Sequence, residues 1–186
     1  MEKCKLGEIA ILKTGPFGTQ FSAKEYISAG IPVINVKNIG YGNLIENDLD
    51  YISKETSERL SEHILTKGDI VFGRKGSVDR HAYIDKRYEG WVQGSDCIRV
   101  RCREGVNAKF ISHYLKLEHV RKGVNNSAVG STMASLNTDI LKDICIQLPS
   151  KNEQEKIVRI LDTLEKKIEI NQVINDNLPY QSSMVA

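Results

Sequence analysis

The sequence has no long hydrophobic run and no pair of cysteines with CxxC spacing. A membrane-spanning helix needs about 20 mostly apolar residues in succession, and no stretch of this chain approaches that length. The charged N-terminus leads into no apolar segment, so we expect no signal peptide and a cytoplasmic protein. Cytosolic thiols stay reduced. We therefore predict that the four cysteines (Cys4, Cys97, Cys102 and Cys145) are free and mostly buried.

The signatures of common catalytic sites are also missing. The chain contains no GxxxxGK[ST] phosphate loop, no GxGxxG, no GxSxG and no HExxH. Its four histidines (His63, His81, His113 and His119) show no spacing typical of metal ligands. Residues 165–167 (EKK) contain a nuclease-like Glu-x-Lys, but no upstream acid accompanies it and a solvated helix face is its simpler explanation. We predict a non-catalytic protein with no cofactor and no metal site.

Charge of either sign is not in strong excess. The chain has 26 Lys and Arg against 24 Asp and Glu, a formal net charge of +2. Nucleic-acid binders usually carry a larger basic excess, so net charge alone does not identify a partner. The hydrophobic share of 40% and the charged share of 27% are typical of a packed protein and argue against disorder.

Short apolar runs separated by Gly and Pro predict a strand-rich domain over residues 1–149. The predicted strands are residues 9–12, 32–36, 70–72, 82–84, 97–102 and 144–148. Ser53 is the expected N-cap of a helix over residues 54–62, and Asn107 that of a helix over residues 108–122 that ends before Gly123. A short helical turn is expected after Asn137. The predicted fold class is α+β.

Residues 150–186 form a different kind of segment, a helical arm. Residues 150–153 have the Ser-x-x-Glu form of a capping box, and no Gly or Pro follows until Pro179. We predict one helix over about residues 151–178, roughly 40 Å long. Its apolar seam has coiled-coil heptad spacing with two polar members, Asn171 and Asn175; the apolar seam residues are Ile157, Leu161, Leu164, Ile168 and Leu178. We expect the seam to pair with another helix; the alternative is that the arm folds back onto its own domain.

Three polar loops with glycines are candidate binding elements, because glycine lets a backbone approach a phosphate and arginine can bind guanine O6 and N7. Residues 73–81 contain Arg74, Lys75, Ser77, Arg80 and His81. Residues 37–43 contain Lys37, Asn38, Tyr41 and Asn43, and residues 125–133 contain Ser131 and Thr132. A fourth candidate is a strand face with Arg99, Arg101 and Arg103. A charged surface loop, a linker and a solvated strand face are the alternatives.

The order of several segments resembles one protein family. Residues 5–9 (KLGEI), 30–34 (GIPVI), 65–71 (LTKGDIV) and 74–77 (RKGS) are followed by 130–132 (GST). Residues 148–158 (LPSKNEQEKIV) and 164–168 (LEKKI) complete the series. Over about residues 5–178 this succession resembles the specificity (S) subunit of type I restriction–modification systems, most specifically in the last two segments.

The resemblance implies sequence-specific recognition of double-stranded DNA, which provides the target to methyltransferase (M) subunits that methylate adenine N6; restriction (R) subunits are a further class of partner. It implies that residues 74–77 and 130–132 face the DNA. It also implies that a second helix packs along the seam formed by Ile157, Leu161, Leu164 and Ile168. A full subunit of that family carries this unit twice. One copy implies either a half-length subunit that forms a homodimer through the C-terminal helix, or a fragment.

One departure from the family pattern concerns Asp79, which stands where many relatives have a small residue. It bears on how Arg80 and His81 meet the DNA. Two other functions stay open on the sequence. One is a coiled-coil scaffold with a protein-binding head, which predicts no DNA footprint, and the other is a small metal-dependent nuclease.

Overall fold

The computed structural model describes residues 2–128 and 134–182, with side chains described as far as residue 177. Within these ranges the chain is α+β, as predicted, and ends in a long helix. The strands are β1 (Glu2–Lys5), β2 (Ala10–Thr14), β3 (Tyr26–Ile27), β4 (Ile31–Ile34), β5 (Tyr41–Gly42), β6 (Asp50–Ile52), β7 (Asp69–Gly73), β8 (His81–Tyr83), β9 (Val92–Gln93), β10 (Cys97–Cys102) and β11 (Cys145–Leu148). The helices are α1 (Leu6–Ile9), α2 (Lys54–Arg59), α3 (Ala108–Leu115), α4 (Glu118–Ser127), α5 (Thr138–Lys142) and α6 (Lys151–Ser182).

The largest sheet has the strand order β2-β10-β7-β8-β5 and is buried on both faces at its centre. Side chains alternate along β7, so Ile70 and Phe72 join a core beneath α3 and α4 while Val71 joins a second core on the other face. A smaller sheet, β3-β6-β4-β9, forms its own core around Val33 and Ile52. The strand β1 pairs antiparallel with β11 and thereby brings the N-terminal residues beside the start of α6.

Each of the six predicted strands has a counterpart in the structure, as do the predicted caps. The Ser53 hydroxyl accepts a hydrogen bond from the Thr56 N–H, and Asn137 caps α5. Five of the observed strands were not predicted; the shortest of them, β3, β5 and β9, have two residues each. Strands this short carry too few side chains to show an alternating pattern in the sequence.

The segment predicted as one helix over residues 108–122 is two helices. Asn107 caps the first, accepting hydrogen bonds from the backbone N–H groups of Lys109 and Phe110. At Leu117 the backbone turns to φ −59°, ψ 134°, and α4 then begins at Glu118. The prediction that Gly123 lies past the helix end is therefore wrong, because it lies inside α4. The turn allows both helices to bury apolar side chains in the same core.

The long helix α6 begins as predicted and ends later than predicted. The Glu153 carboxylate accepts hydrogen bonds from the backbone N–H and the hydroxyl of Ser150, at 3.0 and 2.8 Å. The predicted end at residue 178 is wrong, since the helix continues through Pro179 to Ser182. A proline removes one backbone donor, and so close to the helix end that loss interrupts little. None of the described helices, α6 included, is long and apolar enough to cross a bilayer.

One face of α6 packs against its own chain, beside α3. Gln154 is buried; its side-chain oxygen accepts the Asn107 N–H at 2.8 Å and its amide donates to the Pro149 carbonyl at 2.9 Å. Asp162 and Glu165 lie on the same face, half-buried. The fold-back alternative thus holds for this face of the helix only.

The cysteines are less buried than predicted. Cys97 is buried, Cys4 and Cys102 are half-buried, and Cys145 is exposed. All four are free. Burial raises the pKa of the Cys97 thiol to about 12 and that of Cys102 likewise to about 12, so both are protonated near neutral pH.

Candidate DNA interface

The first candidate loop forms backbone hydrogen bonds with the segment that follows the third loop. The loop of residues 74–80 joins β7 to β8. Its Gly76 N–H donates to the Ala134 carbonyl at 3.0 Å, and the Leu136 N–H donates to the Arg74 carbonyl at 2.8 Å. The segment that follows the third loop is therefore held against the first. Ser131 and Thr132 themselves lie outside the described residues.

A buried anchor fixes the shape of the first loop. Val78 is fully buried in the core beneath α3 and α4, while Lys75 and Ser77 are exposed and Arg74 is half-buried. Gly76 takes a φ of +76°, a conformation that glycine adopts without steric cost. The anchor and the turn together hold the polar side chains of this loop at the surface.

The second candidate loop reaches the first through Tyr41. The strand β5 pairs parallel with β8, with Tyr41 opposite His81. The Tyr41 ring is exposed, and two guanidinium groups stack on it: that of Arg80 lies 5.2 Å and that of Arg121 lies 4.1 Å from the ring centre. Asn43 is exposed, and its side-chain oxygen accepts the Tyr41 N–H at 3.1 Å. The first and second predicted loops thus border one surface, and the segment that follows the third loop lies against the first.

Arg121 is a member of this cluster that sequence reasoning missed. It lies on α4 and donates through Nε and Nη2 to one oxygen of Asp79, at 3.0 and 2.6 Å. Asp79 therefore holds an arginine on Tyr41. Asp79 and Arg121 are 42 residues apart in the chain, so no local pattern could have paired them.

The predicted cations of the surface differ in their partners. Lys75 forms an ion pair with Asp96 at 3.1 Å, and Lys37 with Asp48 at 2.8 Å and Asp50 at 3.1 Å. The hydrogen bond that Lys37 donates to Asp48 is the main cause of the raised pKa of Lys37. Such exposed pairs contribute little stability, so a phosphate can replace the carboxylate at small cost.

Arg74 and Arg80 have no acidic partner within residues 2–128 and 134–177. Their Nε atoms are buried, and no acceptor for them occurs in that part of the chain. Both side chains are half-buried. Their charges are accordingly the least neutralised of the basic residues on this surface.

Asn38 lies inside the protein and not on the candidate surface. It is completely buried, and its amide donates to the carbonyls of Ile45 and Asn47, each at 3.1 Å. Its oxygen accepts the Asn35 N–H at 3.1 Å. The expectation that Asn38 contacts a base is not supported, because its hydrogen-bonding groups are used inside the protein to hold the loop.

His81 is likewise buried, between the sheet and α3. Its Nε2 lies 3.0 Å from the hydroxyl oxygen and 3.1 Å from the carbonyl oxygen of Ser112. Burial, followed by the charge of Lys116, lowers the pKa of His81 to about 3. The imidazole is therefore neutral at physiological pH and ties β8 to α3, which does not support its predicted contact with DNA.

The arginine face of β10 is not a solvated face, and it is not available to DNA. Arg99 is buried and donates to the Glu62 carbonyl at 3.0 Å. Arg101 forms two hydrogen bonds of 2.7 Å with the buried carboxylate of Asp69. Arg103 alone is exposed. This candidate site is wrong, since two of its three members stabilise the fold.

A further cluster of ionisable groups lies where α6 meets α3. His113 Nε2 is 3.0 Å from an Asp162 oxygen, and its Nδ1 is 3.6 Å from a Glu165 oxygen. Burial lowers the pKa of His113, against the opposing hydrogen bond with Asp162. Lys109 and Lys116 form ion pairs with the same acids. Because these two lysines balance the charge of both acids and the cluster joins α6 to α3, we assign it to holding the arm.

Comparisons with known proteins agree with this architecture. The family described as "Type I restriction modification DNA specificity domain" matches residues 1–180. The MjaVIII specificity subunit of a type I restriction enzyme from Methanocaldococcus jannaschii is 21% identical, over 92% of this chain and 41% of that protein.

Solved structures are similar in fold. A chain from a study of complex assembly and conformational transition of the type I R-M system superposes with a TM-score of 0.68 at 17% identity, covering 91% of this chain and 39% of its own. The HsdS subunit from Thermoanaerobacter tengcongensis gives 0.63 at 20% identity, covering 91% and 38%. The chain thus spans about two fifths of the length of these relatives.

Proposed function

Since the chain belongs to the family of type I restriction modification DNA specificity domains, we propose that it recognises a specific sequence in double-stranded DNA. The observation that carries the proposal is that two polar loops, 37–43 and 73–81, border one surface around an exposed tyrosine with two arginines stacked on it. Aromatic and guanidinium groups of this kind meet bases and phosphates in DNA interfaces.

The proposed DNA face contains two kinds of side chain, basic ones and uncharged hydrogen-bonding ones. Arg74, Lys75 and Lys37 supply charge for phosphates, and Ser77 and Asn43 are exposed hydrogen-bonding groups beside them. Phosphate contacts position a protein on the duplex, whereas contacts to base edges carry the specificity. Ser131 and Thr132 stay in the proposed set on the strength of the family resemblance. Asn38 and His81 leave it.

The recognition unit is residues 1–149 and the helical arm is residues 150–186. We assign no catalysis to the chain itself: it supplies the target to methyltransferase subunits, and restriction subunits are a further class of partner. The relative from Methanocaldococcus jannaschii described above is named a specificity subunit, not a methyltransferase or a nuclease, which supports this division of labour.

The arm pairs with a second helix along its apolar seam. Ile157, Leu164 and Ile168 are exposed by 37%, 50% and 57% in the single chain. A helix in water is stabilised when its apolar face is buried, so this face requires a partner. Leu161 is half-buried and Asn171 is exposed. The seam lies about a quarter turn from the face that packs on α3, so one helix serves both contacts. A second copy of the chain is the proposed partner.

Selection from random DNA tests the function. The purified chain is mixed with randomised duplexes, with and without the methyltransferase subunit of its own system, and the bound DNA is sequenced. We expect a defined set of bases, and symmetric half-sites with a gap if two copies pair. Methyl transfer is expected only when the methyltransferase subunit is present.

Two outcomes contradict the proposal. If the bound DNA shows no sequence preference, the chain does not recognise a target. If the chain instead binds a protein with an affinity that does not depend on salt, and protects no DNA, a protein-binding scaffold is favoured. Methylation or cleavage by the rigorously pure chain would make it an enzyme.

A further inference from the structure

The buried ion pair between the first loop and α4 fixes the direction of one arginine. Asp79 is buried, with only 9% of its side chain exposed, against 34% for Arg121. One carboxylate oxygen of Asp79 accepts from both Nε and Nη2 of Arg121. The Tyr41 ring restrains the same guanidinium from a second direction, 4.1 Å from the ring centre. The Nη1 end of the group is the part that Asp79 does not occupy.

An arginine held in this way suits a base better than a phosphate. Its charge is balanced by Asp79, so it adds little to the net attraction for the DNA backbone. Its orientation is set before binding, so less side-chain freedom is lost when its donors meet fixed acceptors. Guanine offers two such acceptors, O6 and N7, at its major-groove edge.

Arg80 presents the opposite combination in the same stack. Its guanidinium also lies on Tyr41, at 5.2 Å, but no acidic partner for it occurs within residues 2–128 and 134–177. An unbalanced charge attracts any phosphate whatever the sequence, and each such contact makes binding more sensitive to salt. The two arginines on one ring thus differ in what they can contribute.

We propose that Arg121 is a specificity-determining residue that binds a guanine of the target, that Asp79 is its positioning residue, and that Arg80 binds a phosphate beside it. The inference rests on the proposed function, because it assigns roles within the same DNA face. It also gives a role to the buried carboxylate of Asp79.

The test compares variants by the sequence they select and by the salt dependence of their affinity. Arg121→Lys keeps the charge and loses the forked donors, while Asp79→Asn removes a negative charge and frees the guanidinium. Both should lose preference for guanine at one position, roughly 5- to 150-fold. Arg80→Ala should keep the motif, weaken binding to all duplexes alike, and lower the salt slope by about one.

The Asp79→Asn variant also distinguishes a positioning role of Asp79 from a purely electrostatic one. If Asp79 acted only through its charge, Asp79→Asn would bind every duplex more tightly and keep the motif. Arg103→Ala is the matched control: β10 pairs Cys97 with Gly73 at the loop end and Arg101 with Asp69 at the far end, so Arg103 lies away from the loops. It should change neither the motif nor the salt slope.

Each result has a distinct meaning. A preference ratio is measured within one preparation, so partial misfolding of a variant does not alter it, and circular dichroism checks the fold separately. If the wild-type chain selects a motif and neither Arg121→Lys nor Asp79→Asn changes it, the inference is overturned and the proposed function stands. Loss of preference at a base other than guanine would overturn the guanine assignment. A wild-type chain that selects no motif refutes the proposed function itself.

Discussion

His81 should make the stability of this protein depend on pH, because it is buried as a neutral imidazole. Its Nε2 is bonded to Ser112, whereas its Nδ1 is buried with no partner in the described residues. Protonation would place a charge and an unpaired N–H there. Burial lowers its folded-state pKa to about 3, while the unfolded value is about 6.5.

The sign and size of the effect follow from proton linkage. The unfolded state takes up the proton first, so the stabilisation is complete above pH 6.5 and is lost as pH falls towards the folded-state pKa. Between pH 7 and pH 5, His81 alone should lower the free energy of unfolding by about 2 kcal/mol. His63 and His113 also have lowered pKa values through burial, and they add to the total in the same direction.

The substitution His81→Gln isolates this residue, since glutamine keeps an N–H donor and does not titrate. Urea unfolding at pH 7 and pH 5, followed by the fluorescence of Trp91, measures the change in each protein; Trp91 packs against a buried core. The wild type should lose about 2 kcal/mol more than the variant. His119→Gln, at an exposed histidine, is the control and should behave as the wild type. Equal losses in wild type and His81→Gln would refute the reasoning.

Three further predictions concern the DNA face and the arm. Arg74→Ala and Lys75→Ala should each weaken DNA binding and lower the salt slope by about one, measured by fluorescence anisotropy; an unchanged slope would move the phosphate contacts elsewhere. Seven residues inserted after Ile168 keep the heptad phase and add roughly 10 Å, so the gap between half-sites should lengthen by up to about 3 base pairs, read by selection from random DNA; an unchanged gap would contradict helix pairing. Leu164→Asp with Ile168→Asp should give a monomer in analytical ultracentrifugation, and a surviving dimer would place the contact outside the seam.

The elements that the sequence predicted well are those with local causes. The Asn107 cap, the Ser150–Glu153 pair and the apolar run of β7 each depend on residues a few positions apart. The break at Leu117 was missed because the apolar pattern continues through it. Only the shape of the shared core requires two helices there.

The positions of the candidate loops were predicted better than those of their individual side chains. Loops 37–43 and 73–81 do border one surface, as their polar composition suggested. Asn38 and Arg99 have the right chemistry for DNA, but both are buried and bonded within the protein. Residue type does not show which way a side chain points, so the error could not be seen in the sequence.

The sequence by itself determined the α+β class, the α6 arm with its heptad seam, and the resemblance to a DNA specificity family, because these depend on short-range periodicity and on the order of segments. Only the tertiary structure decided which polar groups meet. It joined Asp79 to Arg121 across 42 residues and placed the guanidinium groups of Arg80 and Arg121 on the Tyr41 ring. The physical reason is that strand pairing and core packing, which are long-range, determine where each loop lies, whereas sequence patterns report only on near neighbours.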